Sequence, residues 1–315
     1  MSFRRGLIQV SSPNDRVQRT DMNGGLKGCE WVWGWALKIA VCTKHDIFGA
    51  IALNLLLPAL RDHDVDVFYS VKTRASENEL EDLLLLKMLE RDIPLGMIMP
   101  LLDRIGDTGS FETFEGLRRR YGFSGRPLRT LKPGEDGRLI HEFEPDLIIS
   151  VRFSLIFKPD LISLPRHGVL NVHPGRLPEY GGLFAPFRQM LAGERMLGCT
   201  VHFVDEGIDT GPILAVEQVP FDPSRSMFWH AAQLYPAGLR RVIQMVDELA
   251  AGRPLLAMPQ PSDRRGYYKL PTRDDFAQFR AKGLKTATPE DFAEVVGLFS
   301  PPARSEAFAL SPATA

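Results

Sequence analysis

From Leu37 onward, short apolar runs alternate with longer stretches whose apolar positions recur every three to four residues. LKIAVC, VDVFYSV, PDLIISV and VLNV have the length and near-continuous apolarity of strands buried on both faces of a parallel sheet. DIFGAIALNLLLPAL, SENELEDLLLLKMLERD, FETFEGLRRRYG and DGRLIHEF, which fall between them, carry helical spacing, and the second opens on a capping pattern, Ser76 with Glu79. PLRTL reads as a brief strand and KPDLISLP as one helical turn bounded by prolines. Residues 93–109 are apolar without a period and predict no particular element. Further on, PFRQMLAGE predicts a helix, CTVHFV and GPILAVEQV predict two strands joined by DEGIDT, and 224–252 predicts a long amphipathic helix.

This alternation indicates an α/β fold: a doubly wound, mostly parallel twisted sheet, with the closing strand pair suited to antiparallel pairing at the sheet edge. No internal repeat is visible. Three regions follow. Residues 1–36 lack periodicity and read as a disordered or loosely packed leader, residues 37–255 form the α/β domain, and residues 256–315 form a short helical C-terminal extension. That extension holds one helix and ends in a Pro- and Ala-rich tail from Ser300.

Charge narrows the partners. Lys+Arg 38 against Asp+Glu 39 leaves a net charge of -1, so no chain-wide basic footprint points to nucleic acid or an anionic membrane. Three scattered cysteines with no C-x-x-C pair argue against a disulfide framework and a structural zinc site, and no metal is expected. The first residues lack an apolar core for a signal peptide, and WVWGWALKIAV is too short to span a bilayer, so a cytoplasmic protein is expected.

The first strand–helix turn, CTKHDIFG, has one glycine and no G-x-G-x-x-G, which speaks against a dinucleotide. Walker A, H-E-x-x-H and G-x-S-x-G patterns are also missing from the sequence. The chemistry concentrates in GVLNVHPGRLPEYGG. Here Asn171 and His173 stand two positions apart at the end of a core strand, before a turn stiffened by Pro174 and Pro178. In open α/β sheets, ligands bind beyond the carboxyl ends of strands, where these side chains belong. Asp209, in IDTG, follows a second strand at a sharp corner. Taken singly, Asn171 reads equally as a turn cap, His173 as a buried structural histidine and Asp209 as a turn aspartate.

Together they carry a resemblance. N-x-H-P-x-x-LP-x-[aromatic]-x-G, then G-x-T-x-H, then D-x-G-x-I resembles the folate-dependent formyltransferase family, strongly over 145–219 and more weakly over 37–252. That family includes methionyl-tRNA formyltransferases, glycinamide ribonucleotide transformylases, formyltetrahydrofolate deformylases and sugar N-formyltransferases. The resemblance implies a Rossmann-like formyltransferase fold and N10-formyltetrahydrofolate as formyl donor. It also implies a catalytic set of Asn171, His173 and Asp209, whose Asn-to-Asp interval matches the family's. Such a set suits formyl transfer, in which an amide and an imidazole donate to the oxyanion of a tetrahedral intermediate while imidazole and carboxylate move protons.

By the same resemblance, folate would lie against Arg152, Phe153 and Ser154, against Val204, Asp205, Gly207 and Ile208, and beside Gly175, Arg176, Leu177 and Pro178. Gly175-Arg176 stands where many relatives have Ser-Leu, which leaves Arg176 facing either an acidic substrate group or solvent. The family's glycine-rich phosphate loop, basic C-terminal barrel and N-terminal regulatory domain have no counterpart in this sequence. The expected acceptor is therefore the amine of a small molecule, an amino sugar or an amino or hydroxylamino acid, with no nucleic-acid or membrane partner; a homodimer stays among the options. Transfer to methionyl-tRNA and hydrolysis to formate are the alternatives. Tyr267 and Tyr268 are read either as a cover over the substrate or as pins holding the tail.

Overall fold

The structure is a computed structural model and describes residues 35–71, 78–106, 109–132 and 134–301. Most of the leader, Ser76 of the capping pattern, Cys29 and the tail beyond 301 lie outside the described residues.

In chain order the elements are β1 (Lys38–Lys44), α1 (Ile47–Ala59), β2 (Asp64–Ser70), α2 (Glu81–Lys87), α3 (Met99–Ile105), α4 (Phe114–Tyr121), β3 (Arg126–Leu128), α5 (Arg138–Phe143) and β4 (Leu147–Val151). There follow α6 (Pro159–Ile162), β5 (Val169–His173), β6 (Gly181–Gly182), α7 (Ala185–Ala192), β7 (Met196–Phe203), β8 (Ile213–Pro220), α8 (Met227–Ala250), β9 (Tyr267–Tyr268), α9 (Arg273–Ala281) and α10 (Pro289–Gly297). The main sheet has seven strands in the order β3-β2-β1-β4-β5-β7-β8. Pairing is parallel from β3 through β5 and antiparallel for the closing pair β7–β8, as the strand patterns predict; β5–β7 is antiparallel as well, which those patterns do not indicate.

Each face of the sheet has its own core. On one side, β1, β5 and β7 send Ile39, Val41, Leu170, Val172, Cys199 and Val201 against α1 and α8. On the other, Ala40, Cys42, Ile148 and Val169 pack under Ile140 of α5, Leu161 of α6 and Phe157. The apolar runs follow from this double burial: alternate residues point to opposite faces, and both faces are covered. Cys42 and Cys199 are buried and unpaired. Among the described residues no helix is long and apolar enough to cross a membrane.

Two predictions from periodicity need correction. The helix expected over 76–92 begins only at Glu81, with Leu80 at its cap and no side-chain capping bond; Glu81 and Asp82 supply negative charge to its first turn. Beyond Lys87 the chain widens into π-helical turns, Met88–Asp92 and Pro94–Ile98, before returning to α in α3. A π turn takes more residues than an α turn, so the apolar positions in 93–109 drift out of the 3.6 period that sequence reading looks for.

The second correction is in the extension, whose described residues hold two α-helices rather than one. Thr288 caps α10 through Asp291 N–H, and Pro289 and Glu290 complete the start signal. Buried Asp291 accepts from Ser226 N–H at 2.7 Å and from Arg225 at 2.8 Å, fastening α10 to the start of α8.

Alpha9 is fastened to α7. Arg188 meets both oxygens of Asp275, at 2.8 and 3.1 Å, and Thr272 completes a capping box with the same carboxylate. The Arg188 bond, with help from Thr272, draws the Asp275 carboxyl down to about 2. A folded value below the unfolded one stabilises above the ordinary carboxyl range and is lost as pH falls through the folded value. Asp275→Asn should therefore lower the melting temperature near neutral pH by about 2–4 °C, for a solvent-screened loss of about 1 kcal/mol. In thermal melts at several pH values, that difference should narrow as pH drops from about 4 toward 2.

Candidate functional site

Strand register builds the centre of the site. Ser150 of β4 pairs with Asn171 of β5, and Asn171 pairs with His202 of β7, so a row of polar residues crosses three strands on one face. Ser150 Oγ donates to Asn171 Oδ1 at 2.8 Å, and Asn171 Nδ2 lies 3.1 Å from His202 Nε2. The other ring nitrogen of His202 lies 2.7 Å from the Phe203 carbonyl. A carbonyl only accepts, so Nδ1 carries the hydrogen, and a neutral His202 then accepts from the amide through Nε2. The Asn171 amide is thereby fixed with its oxygen toward Ser150, leaving its second N–H for the cavity.

Two residues along β5, His173 is 5% exposed. Its Nε2 lies 2.7 Å from the Tyr180 carbonyl and must donate to it, which turns Nδ1 toward Asp209 Oδ2 at 3.6 Å. That separation is an electrostatic pairing, not a hydrogen bond. Asp209 Oδ1 stands 3.6 Å from His202 Nε2, and Oδ2 accepts from Gly182 N–H at 2.7 Å. Burial opposes ionisation of Asp209, but charge on a protonated His173, charge and a hydrogen bond from His202 when that ring is protonated, and the Gly182 N–H outweigh it and hold the carboxyl well below the usual range.

The corner that presents Asp209 is tight. Asp209 has φ +54, in the left-handed region, and Asp205 ties the turn by accepting from Gly207 N–H at 3.1 Å and Thr210 Oγ1 at 2.5 Å. A Cβ on Gly211 would fall 1.9 Å from the Phe203 carbonyl, so the glycine of IDTG is sterically required.

These groups open into one cavity of about 460 Å³, within the range of about 300–1,000 Å³ typical of small-molecule sites. Asn171, His173 and Asp209 line it together with Arg152, Phe153, Ser154, Val204, Asp205, Gly207 and Ile208. Some backbone donors there are already used: Ser154 N–H donates to Ser70 Oγ and Val204 N–H to the Val169 carbonyl. Gly175, Arg176, Leu177 and Pro178 do not line the cavity. Their loop turns into the protein. Leu177 N–H donates to Thr200 Oγ1, which donates to the Gly175 carbonyl, and Arg176 pairs with Glu194 at 2.6 Å across the Tyr180 ring. Tyr267 lines the cavity, while Tyr268 stacks on Tyr180 beneath Arg188.

Two features were not assigned from sequence. His202 is the last residue of G-x-T-x-H, and no local pattern assigns it a partner. The other is a buried ion cluster at the far wall. Arg152, at φ +62, donates from Nε to Asp46 Oδ2 at 2.9 Å, bonds Glu90 from the π-helical turn, and covers the Phe48 ring. Asp46 also caps α1 through Gly49 N–H. The start of α1, where a dinucleotide fold would receive phosphate, is thus filled by the protein's own ion pair. Burial opposes the Arg152 charge, but Asp46, Glu90 and Tyr235 raise its pKa well above the usual value; burial pushes Glu90 up. Among the described residues no cluster of three or more His, Cys, Asp or Glu is placed to hold a metal ion.

Residues 123–231 match the family described as formyl transferase. The methionyl-tRNA formyltransferase of Paramagnetospirillum magneticum is 30% identical over 165 residues, which cover 51% of this chain and 54% of that enzyme. The chain spans about half the length of the curated relatives it matches. A 4-N formyltransferase from Francisella tularensis superposes with TM-score 0.50 at 18% identity, covering 77% of this chain and 86% of that one. An N-formyltransferase from Helicobacter canadensis, in complex with folinic acid and dTDP-3-aminofucose, gives TM-score 0.50 at 17% identity over 76% and 72% of the two chains. The chain resembles formyltransferases in sequence, and its mostly parallel sheet with flanking helices has their fold.

Proposed function

We propose that this protein transfers a formyl group from N10-formyltetrahydrofolate to the amine of a small molecule, an amino sugar or an amino or hydroxylamino acid. The observation that carries the reading is the convergence of Asn171, His173 and Asp209 on one cavity, each held by its own partners. Phe153, Leu155, Val204 and Ile208 give the cavity apolar walls suited to a flat pterin, and the Helicobacter canadensis relative was solved with a folate compound bound.

The amine nitrogen attacks the formyl carbon, and the carbonyl oxygen takes up the electron pair. The unused N–H of Asn171 and, when protonated, Nδ1–H of His173 donate to that oxygen. Asp209, ionised across the working pH range, stabilises the charged imidazole and helps carry the amine's proton. Collapse breaks the bond from formyl carbon to N10, and N10 receives a proton, so the net movement is one formyl group forward and one proton back.

The small-amine reading draws support from the basic residues. Arg118 and Arg120 are paired with Glu115 and Glu112, Arg119 lies near Asp103 and Glu115, and Arg264 is paired with Glu179. Transfer to methionyl-tRNA is the second reading, favoured by the names of the sequence relatives. The two separate in one assay. Formyl donor is supplied with a panel of amino sugars and amino acids, or with charged initiator transfer RNA, and formylated product is measured. Amine-dependent product and no tight RNA binding are expected. Salt-sensitive RNA binding with formylation of the charged methionine would establish the second reading, since phosphate neutralisation dominates such binding. Formate release without any acceptor would mark a hydrolase.

A further inference from the structure

The segment 254–270 runs past both loops that carry the site. Met258 exchanges two backbone hydrogen bonds with Ile213, each 2.8 Å, just after the Asp209 corner. Further along, Gly266 N–H donates to the Pro178 carbonyl, and β9 pairs with β6. Gln260 lies between these attachments. Its Nε2 donates to the carbonyls of Asp209, at 3.0 Å, and Gly211, at 2.7 Å. Both partners only accept, so only the nitrogen of the amide can face them.

The segment therefore grips Asp209 from two directions. Gln260 holds its backbone in the left-handed conformation, which persists only where surroundings enforce it. Gly182, whose N–H meets the carboxylate, is itself seated by the β6–β9 pair and by Leu183 N–H on the Tyr268 carbonyl. We infer that Gln260 is a positioning residue that fixes the aim of the Asp209 carboxylate at His173 by holding the Asp209 and Gly211 carbonyls. The inference rests on the catalytic reading of Asp209.

The test uses Gln260→Glu, which keeps size but sets carboxylate oxygen against two carbonyls, and Gln260→Met, which removes the donor without adding charge. Both should lower kcat by about 10- to 10²-fold, the scale of a small misplacement of a reacting group. KM for donor and acceptor should stay within about twofold, with circular dichroism unchanged. A merely structural loss would not depend on Asp209, so each change is repeated with Asp209→Asn, where a further loss below about twofold is expected. Wild-type kcat, a loss confined to KM, or losses that multiply in the double variant would overturn the inference. Full turnover in Asp209→Asn alone would instead bring down the catalytic assignment, and this inference with it.

Discussion

His173→Gln and Asp209→Asn are each expected to lower kcat by roughly 10²-fold or more with little change in fold. Both replacements preserve local bonding. Glutamine can still offer an N–H to the Tyr180 carbonyl, which His173 Nε2 now satisfies, but has nothing in place of the proton-carrying Nδ1. Asparagine tolerates the left-handed backbone of position 209 and can still accept from Gly182 N–H, but carries no charge to pair with His173. The pH profile adds a second check. Because Asp209 is held well below the usual carboxylate range, its titration should not set the acid limb of activity. Near wild-type kcat in either variant, with fold verified by circular dichroism, would remove that residue from the chemistry.

Arg152→Met should cost the most stability. The guanidinium joins Asp46, which is fully buried, to Glu90 at the cavity wall, and its loss leaves both carboxyl groups without their cation. Removing one member of a buried ion cluster typically costs about 3–5 kcal/mol, which corresponds to a fall in melting temperature on the order of 10 °C for a domain of this size. The loss should be largest near neutral pH and shrink in acid, where Glu90, already pushed up by burial, takes up a proton. Adding Glu90→Gln should recover part of it. A melting temperature within about 2 °C of wild type would mean that the cluster contributes little.

Alternation of apolar runs made the sheet readable because β1, β4 and β5 are covered on both faces, and continuous apolar text is what such coverage demands. The antiparallel edge was readable for a different reason: DEGIDT is too short to hold a crossover. The segment after Lys87 was not readable, since π-helical turns break the period on which recognition depends. Glu90 went unnoticed with it, and its partner Arg152 is distant in sequence. In the candidate site, Asn171, His173 and Asp209 were legible as a spaced motif. The role of His202 was not, because its contact with Asn171 comes from cross-strand register, which no local pattern displays. The 175–178 loop shows the converse. The family resemblance implied ligand contacts there, but Thr200 and Glu194 draw the loop inward, away from the cavity lining.

The row Ser150, Asn171, His202 lies on hydrogen-bonded strands, whereas much of the remaining cavity wall comes from the connecting segments 152–157 and 204–209 and from the helices α2, α7 and α8. The proposed catalytic set is divided in the same way, with Asn171 and His173 on β5 and Asp209 on the connection between β7 and β8. Strand register is all-or-none: a slip by one residue would turn the whole row to the opposite face. Connecting segments accept insertions and exchanges at small cost. Such an arrangement is modular. Under the proposed function, an engineer who wants a new acceptor should rebuild the other connections and leave both the strands and the Asp209 corner untouched.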